Sequence, residues 1–165
     1  MIELHLRIGE TVTVKSRAEI LATLDGRGER SSLPFMPEML QFCGRRFTVY
    51  RRAGKFCDTK DWTGMHRLDA TVHLEGLRCD GQAHGGCQAA CLLYWKESWL
   101  KRVDDPSAQA AEPGQADAAE ADQGECTQAT LQAATRSDGS VAEPGRERYS
   151  CQATELTRAG PVRLP

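Results

Sequence analysis

Alternation of apolar and polar residues predicts short β-strands in the first hundred residues of the chain. Residues 11–15 alternate polar and β-branched side chains, and residues 46–51 form a second candidate strand. Residues 70–77 form a third, with Val72 and Leu74 on one face. These segments predict a sheet built of short strands.

Two short helices are predicted among these strands. Ser16 and Glu19 have the spacing of a capping box, which predicts a helix over residues 18–24. A proline at the first helical position and a glycine just past the end predict a second helix over residues 37–43.

Residues 87–103 are predicted to form the longest helix. This run contains no Gly or Pro and is rich in helix formers. On the 3.6-residue period, Cys87 and Cys91 share an inward face with two aromatic residues, while Lys96 and Glu97 lean outward. The helix is expected to close the sheet.

The predicted fold class is α+β. We expect a small curved or barrel-like sheet of short strands with inserted helices, one longer C-terminal helix and then a disordered tail. Residues 1–103 are expected to form one cysteine-rich compact domain. Residues 104–145 are expected to be a linker, and residues 146–165 the remnant of a C-terminal segment.

The predicted linker differs in composition from the rest of the chain. It carries nine acidic residues against the single base Arg136, and is otherwise rich in Ala, Gln, Gly, Ser and Pro. Such a segment buries too little apolar area to offset the ~1 to 2 kcal/mol per residue that backbone ordering costs. Disorder is therefore predicted for residues 104–145.

Charge and composition argue against several function classes. The net charge of −2 and the pI of about 6.1 give no reason to expect nucleic-acid binding. No apolar run approaches the ~20 residues of a membrane span, and residues 1–7 lack the apolar core of a signal peptide. The chain is therefore expected to be cytoplasmic, where cysteines serve more often as metal ligands, catalytic groups or buried thiols than as disulfides.

Several phrases of the sequence resemble a group of bacterial proteins that have no established activity. They are LPFMPEML at 33–40, HLEGLRCDG at 73–81, HGGCQAAC at 84–91, WKE at 95–97 and YSCQATE at 149–155. The resemblance implies an SH3-like small barrel with inserted helices, followed by a further helical, aromatic-rich segment. Because residues 157–165 depart from that pattern, we expect a C-terminally truncated member.

The cysteines of this region form the candidate functional site. Cys87 and Cys91, four residues apart on the predicted helix, would present their sulfur atoms side by side. Cys79 comes from the preceding strand end, and Cys57 follows another strand end as the fourth predicted ligand. The substitutes for a ligand position are His84, Cys151 and Cys43.

This cysteine set predicts a metal or iron–sulfur centre with a structural or electron-transfer role. Structural zinc usually uses closely spaced cysteine pairs, and only Cys87 and Cys91 are that close, so an iron–sulfur cluster is slightly favoured over zinc. One alternative is an SH3-like module that binds a partner protein and merely buries its cysteines. Another is a thiol-dependent enzyme with His73 or His84 as the base, although no catalytic set is predicted.

Overall fold

Five short strands form an open antiparallel sheet in the computed structural model, which describes residues 3–104, 126–136 and 149–165. In spatial order the strands are β8 (Trp95–Lys96), β7 (Thr71–Leu74), β4 (Arg46–Arg52), β1 (Thr11–Val14) and β9 (Leu100–Arg102). The strands expected at 11–15, 46–51 and 70–77 are thus present as β1, β4 and β7.

The remaining elements pack around this sheet. They are α1 (Arg17–Leu21), the hairpin of β2 (Glu29–Arg30) and β3 (Leu33–Pro34), a 3-10 helix (Pro37–Phe42), the hairpin of β5 (Lys55–Asp58) and β6 (Gly64–Arg67), a 3-10 turn (Glu97–Trp99), α2 (Gln128–Ala134) and α3 (Gln152–Ala159). The described part of the chain is therefore mixed α and β, as predicted, and its helices are all short.

The first helix begins at the predicted capping box. The Glu19 N–H donates to the Ser16 hydroxyl at 3.3 Å, and the Ser16 N–H donates to the Glu19 carboxylate at 2.9 Å. These two bonds satisfy amide groups that would otherwise lack a partner at the helix N-terminus.

The predicted helix over residues 87–103 is wrong. The segment instead contains β8, the 3-10 turn and β9, because pairing with neighbouring strands determines its conformation. Trp95 lies opposite Val72 and Leu100 lies opposite Val14 in the sheet. A helix would have exposed Lys96 and Glu97, and both are buried here.

The prediction allowed a curved sheet or an SH3-like barrel. The sheet curls without closing, so a closed barrel is not present among the described residues. The edge strands β8 and β9 are consecutive in the chain, and Lys96 is only four residues from Leu100. Four extended residues span at most about 15 Å, whereas the edges of a flat five-stranded sheet lie about 19 Å apart. The sheet must therefore curve to bring its edges together.

Two tryptophans, where the chain passes from β8 to β9, form the centre of the core. Trp95 and Trp99 are both completely buried. The Phe35 ring lies edge-on to each of them, with centroid distances of 6.0 Å to Trp95 and 5.1 Å to Trp99. This arrangement is the favourable one for aromatic pairs. It attaches the β2–β3 region to both edges of the sheet.

Part of the predicted linker belongs to the compact fold. Residues 126–136 contain α2, whose Leu131 is buried, and the preceding Cys126 is also buried. The disorder predicted for residues 105–125 and 137–145 concerns positions outside the described residues. Among the described helices, none is both long enough and apolar enough to cross a membrane.

Glu97 is a buried carboxylate that holds the N-terminal residues. It accepts hydrogen bonds from the N–H groups of His5 at 2.9 Å and Leu6 at 3.0 Å, and only 1 % of its surface is exposed. The Arg52 guanidinium lies 4.0 Å away. The charge is therefore compensated by donors from the opposite end of the domain.

Replacing Glu97 by alanine is expected to lower the free energy of unfolding by about 2 to 3 kcal/mol, because two buried N–H groups lose a charged acceptor. Urea unfolding followed by tryptophan fluorescence measures the change. The matched control is Glu75→Ala at an exposed position, with an expected change within about 0.5 kcal/mol. Equal effects of the two substitutions would contradict the anchoring role.

His73 makes the unfolding free energy depend on pH. It is 8 % exposed and its Nδ1–H donates to the Leu93 carbonyl at 2.9 Å. Burial lowers the pKa of His73; the hydrogen bond to Leu93 acts in the opposite direction, and the charge of Arg51 adds to the lowering. As the pH falls, the unfolded chain therefore takes up this proton before the folded chain does.

The unfolding free energy is accordingly expected to be highest above pH 7 and to fall as the pH decreases below the unfolded histidine pKa of about 6.5. Urea titrations at pH 7.5 and 5.5 test this. His73→Asn retains an N–H donor for Leu93 but does not titrate, so its decrease should be smaller. An identical decrease in the variant would show that other groups are responsible.

Candidate metal centre

The candidate site is built around residues 79–91, which we name the cysteine loop. Antiparallel pairing closes its base, because the Cys79 N–H donates to the Cys91 carbonyl at 2.8 Å and Arg78 pairs with Leu92. The loop thus begins and ends on cysteines that face each other across a short two-stranded base.

The Gly81 carbonyl folds the cysteine loop back on itself. It accepts hydrogen bonds from the N–H groups of His84 at 3.2 Å and Gly86 at 2.8 Å. Gly81 has φ of +72°, and a Cβ atom at this position would lie 2.0 Å from the Cys87 carbonyl oxygen. Glycine is therefore required here for both conformation and space. The turn brings His84 back to Cys79.

Three side chains converge at the start of the cysteine loop. The Cys79 thiol donates to Glu38 Oε1, with Sγ and oxygen 3.3 Å apart, and Cys79 Sγ lies 3.4 Å from His84 Nε2. His84 Nδ1 lies 3.9 Å from the same Glu38 oxygen. One ligand atom from each residue lies within 4.8 Å of the other two. Glu38 comes from the 3-10 helix, so the group joins that helix to the loop.

Two side chains of the group are buried while Cys79 is partly buried, and the hydrogen bonds of the group are incomplete. The side chains of Glu38 and His84 are 3 % and 5 % exposed, yet Glu38 Oε2 and His84 Nδ1 have no hydrogen-bond partner. In the part of the chain that the structure describes, His84 is the one basic group within 4 Å of the Glu38 carboxylate. An unpaired buried carboxylate costs several kcal/mol. The arrangement is therefore suited to a bound cation.

Two opposing effects act on the Cys79 thiol. Burial, followed by the hydrogen bond and the negative charge of Glu38, raises the pKa of Cys79 to about 12. The Gly81 backbone N–H donates to the sulfur and acts in the opposite direction. Reactive cysteines have lowered pKa values, so this thiol is not activated by its protein neighbours alone.

The structure brings one of the four cysteines predicted as ligands into this group. Cys79 belongs to it, while Cys87 and Cys91 lie in the cysteine loop with exposed side chains. Cys57 is exposed on β5, where it pairs with Met65 in a hairpin separate from the five-stranded sheet. Cys57 is therefore the one predicted cysteine ligand that lies outside the cysteine loop.

The predicted substitutes have three different environments. His84 belongs to the convergent group. Cys151 is partly buried at the N-cap of α3. Cys43 follows the 3-10 helix, and burial raises the pKa of its thiol to about 11.

Glu38 is the site residue that the sequence pattern does not single out. Its signal is an isolated acid within an apolar run, because Phe35, Met36, Met39 and Leu40 around it are all buried. A carboxylate in such a run is seldom buried without a partner. The partner, however, lies 41 residues away along the chain at Cys79.

The role of Gly81 can be tested with Gly81→Ala and a matched control, Gly86→Ala. Both glycines have nearly the same φ, +72° and +73°, but nothing lies within 4 Å of a Cβ at Gly86. Gly86→Ala should therefore cost about 1 kcal/mol of conformational strain, and Gly81→Ala should also open the loop. Alkylation of Cys79 in the native protein, measured by mass spectrometry, should be faster in Gly81→Ala. Equal rates in the two variants would contradict the steric requirement.

Comparisons with known proteins provide no match from which a function could be inferred. No family model, no curated protein and no solved structure matches this chain. The chemical nature and burial of Glu38, Cys79 and His84 are therefore the basis on which a function is inferred.

Proposed function

We propose that this protein binds a single divalent transition-metal ion, zinc by preference, through Cys79, His84 and Glu38. The observation that carries the proposal is the convergence of a thiol, an imidazole and a carboxylate. The imidazole and the carboxylate are buried and contain unpartnered polar atoms, and among the described residues no Lys or Arg belongs to the group. A cation at this point supplies the missing positive charge and partners.

The spacing of the ligand atoms supports this proposal. With zinc–sulfur and zinc–nitrogen distances of about 2.3 and 2.0 Å, tetrahedral ligands lie about 3.5 Å apart. The observed separations from Cys79 Sγ are 3.3 Å to Glu38 Oε1 and 3.4 Å to His84 Nε2. All three ligand atoms lie within 4.8 Å of one another, so a modest inward movement of the side chains accommodates an ion.

The donor set favours zinc over the slightly preferred iron–sulfur cluster of the sequence prediction. Thiolate and imidazole are ligands of borderline and soft metals, whereas Ca²⁺ and Mg²⁺ take oxygen ligands. Iron–sulfur clusters are held mainly by several cysteines, and this group contains only Cys79. A mixed set of sulfur, nitrogen and oxygen fits one ion.

The proposed role of the ion is structural. It links the 3-10 helix that carries Glu38 to the cysteine loop that carries Cys79 and His84. Those two elements lie about forty residues apart in sequence, and the cysteine loop contains no regular secondary structure. In a small domain, metal binding supplies folding free energy directly.

The proposal is tested by adding Zn²⁺ to the reduced, metal-free chain and measuring affinity by competition with a chromophoric chelator. We expect about one ion per chain. Cys79→Ser and His84→Gln should each weaken binding by at least about 100-fold, because each removes a direct ligand. Cys57→Ser is the matched control at an exposed cysteine, with no expected change in affinity.

Two outcomes would contradict this assignment. Loss of binding in Cys57→Ser with retention in His84→Gln would restore the predicted four-cysteine set. Acid-labile sulfide and iron in protein purified without oxygen would indicate a cluster in place of a single ion.

A second candidate function is a thiol enzyme, because the 3.4 Å distance between Cys79 Sγ and His84 Nε2 is that of a nucleophile and its base. Two distances of Glu38 argue against it. Its Oε1 accepts the hydrogen bond of the Cys79 thiol directly. The same oxygen lies 3.9 Å from His84 Nδ1, which is too far for the hydrogen bond by which a carboxylate orients a catalytic histidine. Absence of metal binding together with rapid, selective alkylation of Cys79 would favour the enzyme.

A further inference from the structure

The C-terminal segment, residues 149–159, contacts the elements on both sides of the metal centre. A Cβ atom at Gly85, next to His84, would lie 2.6 Å from the Tyr149 ring. On the other side, the Gln152 Nε2 atom lies 3.6 Å from Met39 Sδ, next to Glu38. Cys151 lies between these two contacts in the chain. The segment therefore passes beside the group of Glu38, Cys79 and His84, and Cys151 lies in the part that passes it.

Gln152 holds the segment firmly in this place. Its amide side chain, in a residue only 4 % exposed, donates to the carbonyls of Pro34 at 3.0 Å and Tyr94 at 2.8 Å, and accepts from the Tyr94 N–H at 2.8 Å. Arg158, further along α3, pairs with the Glu29 carboxylate. The backbone position of Cys151 is thus fixed by its buried neighbour Gln152.

The environment of Cys151 resembles that of Cys79. Both are partly buried against the hydrophobic core, whereas Cys87 and Cys91 are exposed. After burial itself, proximity to Cys151 is among the causes that raise the pKa values of both Cys79 and Cys91. The Cys151 sulfur therefore lies in the electrostatic neighbourhood of the proposed centre.

We propose that the Cys151 thiolate is the fourth ligand of the metal ion, so that metal binding fastens the C-terminal segment to the cysteine loop and to the 3-10 helix. This inference rests on the proposed function, whose three ligands leave one position of a tetrahedral ion unfilled. Each bound thiol releases its proton to solvent. The ion then joins three stretches of chain, at residues 38, 79–84 and 151.

Cys91 is the competing source of the fourth ligand. It pairs with Cys79 across the base of the loop, so the two side chains emerge on the same face. Its side chain is exposed, however, whereas that of Cys151 is partly buried next to the anchored Gln152. The two assignments of the fourth ligand predict opposite results in one experiment.

The experiment uses Co²⁺ in the reduced full chain as a spectroscopic probe for the zinc site. The sulfur-to-cobalt charge-transfer absorption grows with the number of bound thiolates, so a centre with Cys79 and Cys151 should lose about half of it per bound ion in Cys151→Ser. Serine is a favourable N-cap residue, which preserves the start of α3. Cys43→Ser, at a cysteine of similar burial, is the control and should leave the absorption unchanged.

A second measurement follows the C-terminal segment itself. Zn²⁺ should slow hydrogen–deuterium exchange over residues 152–159 in the wild-type chain, and this slowing should be absent in Cys151→Ser. An unchanged spectrum in Cys151→Ser, with the loss found in Cys91→Ser instead, overturns the assignment of Cys151 and leaves the metal centre standing. Failure of the wild-type chain to bind either ion overturns both the centre and its fourth ligand.

Discussion

Complete burial of Trp95 and Trp99, where the chain passes from β8 to β9, is the constraint on which the architecture depends. The turn joins the two edge strands of the sheet, so the chain must pass from one edge to the other within a few residues. A flat sheet does not permit this, and the sheet curls around the indole rings. Phe35 packs edge-on against both rings and so attaches the segment that leads into the 3-10 helix.

The same constraint positions the candidate centre. The 3-10 helix follows Phe35 directly, and the cysteine loop ends just before Trp95, so both elements are held by one aromatic cluster. Glu38 projects from the first element, and Cys79 and His84 project from the second. Core packing thus brings together side chains that local structure leaves far apart.

The centre contrasts with the other buried carboxylate of the fold. Glu97 receives two backbone N–H donors and has Arg52 nearby, so its charge is compensated within the protein. Glu38 accepts one hydrogen bond, from the Cys79 thiol, and its other oxygen has no hydrogen-bond partner. Since buried charge without compensation is costly, the two sites differ in what they require. The first is complete within the chain, and the second is suited to a cation from solution.

Local sequence signals were enough to predict one helix and three strands. The capping box of Ser16 and Glu19 starts α1, and the alternation in residues 11–15, 46–51 and 70–77 predicts β1, β4 and β7. Cysteine spacing also singled out Cys79 and, as a substitute ligand, His84, which lie in the candidate group. In each case the signal is a pattern within a few residues.

Tertiary structure alone decided the conformation of residues 87–103 and the membership of the site. Helix formers there adopt strands because Trp95 and Leu100 gain more from pairing and burial than from helix propensity, which amounts to less than about 1 kcal/mol per residue. Glu38 joins Cys79 across 41 residues, while Cys57 lies on another hairpin. Spacing along the chain carries no information about such contacts, because they are set by how the core packs.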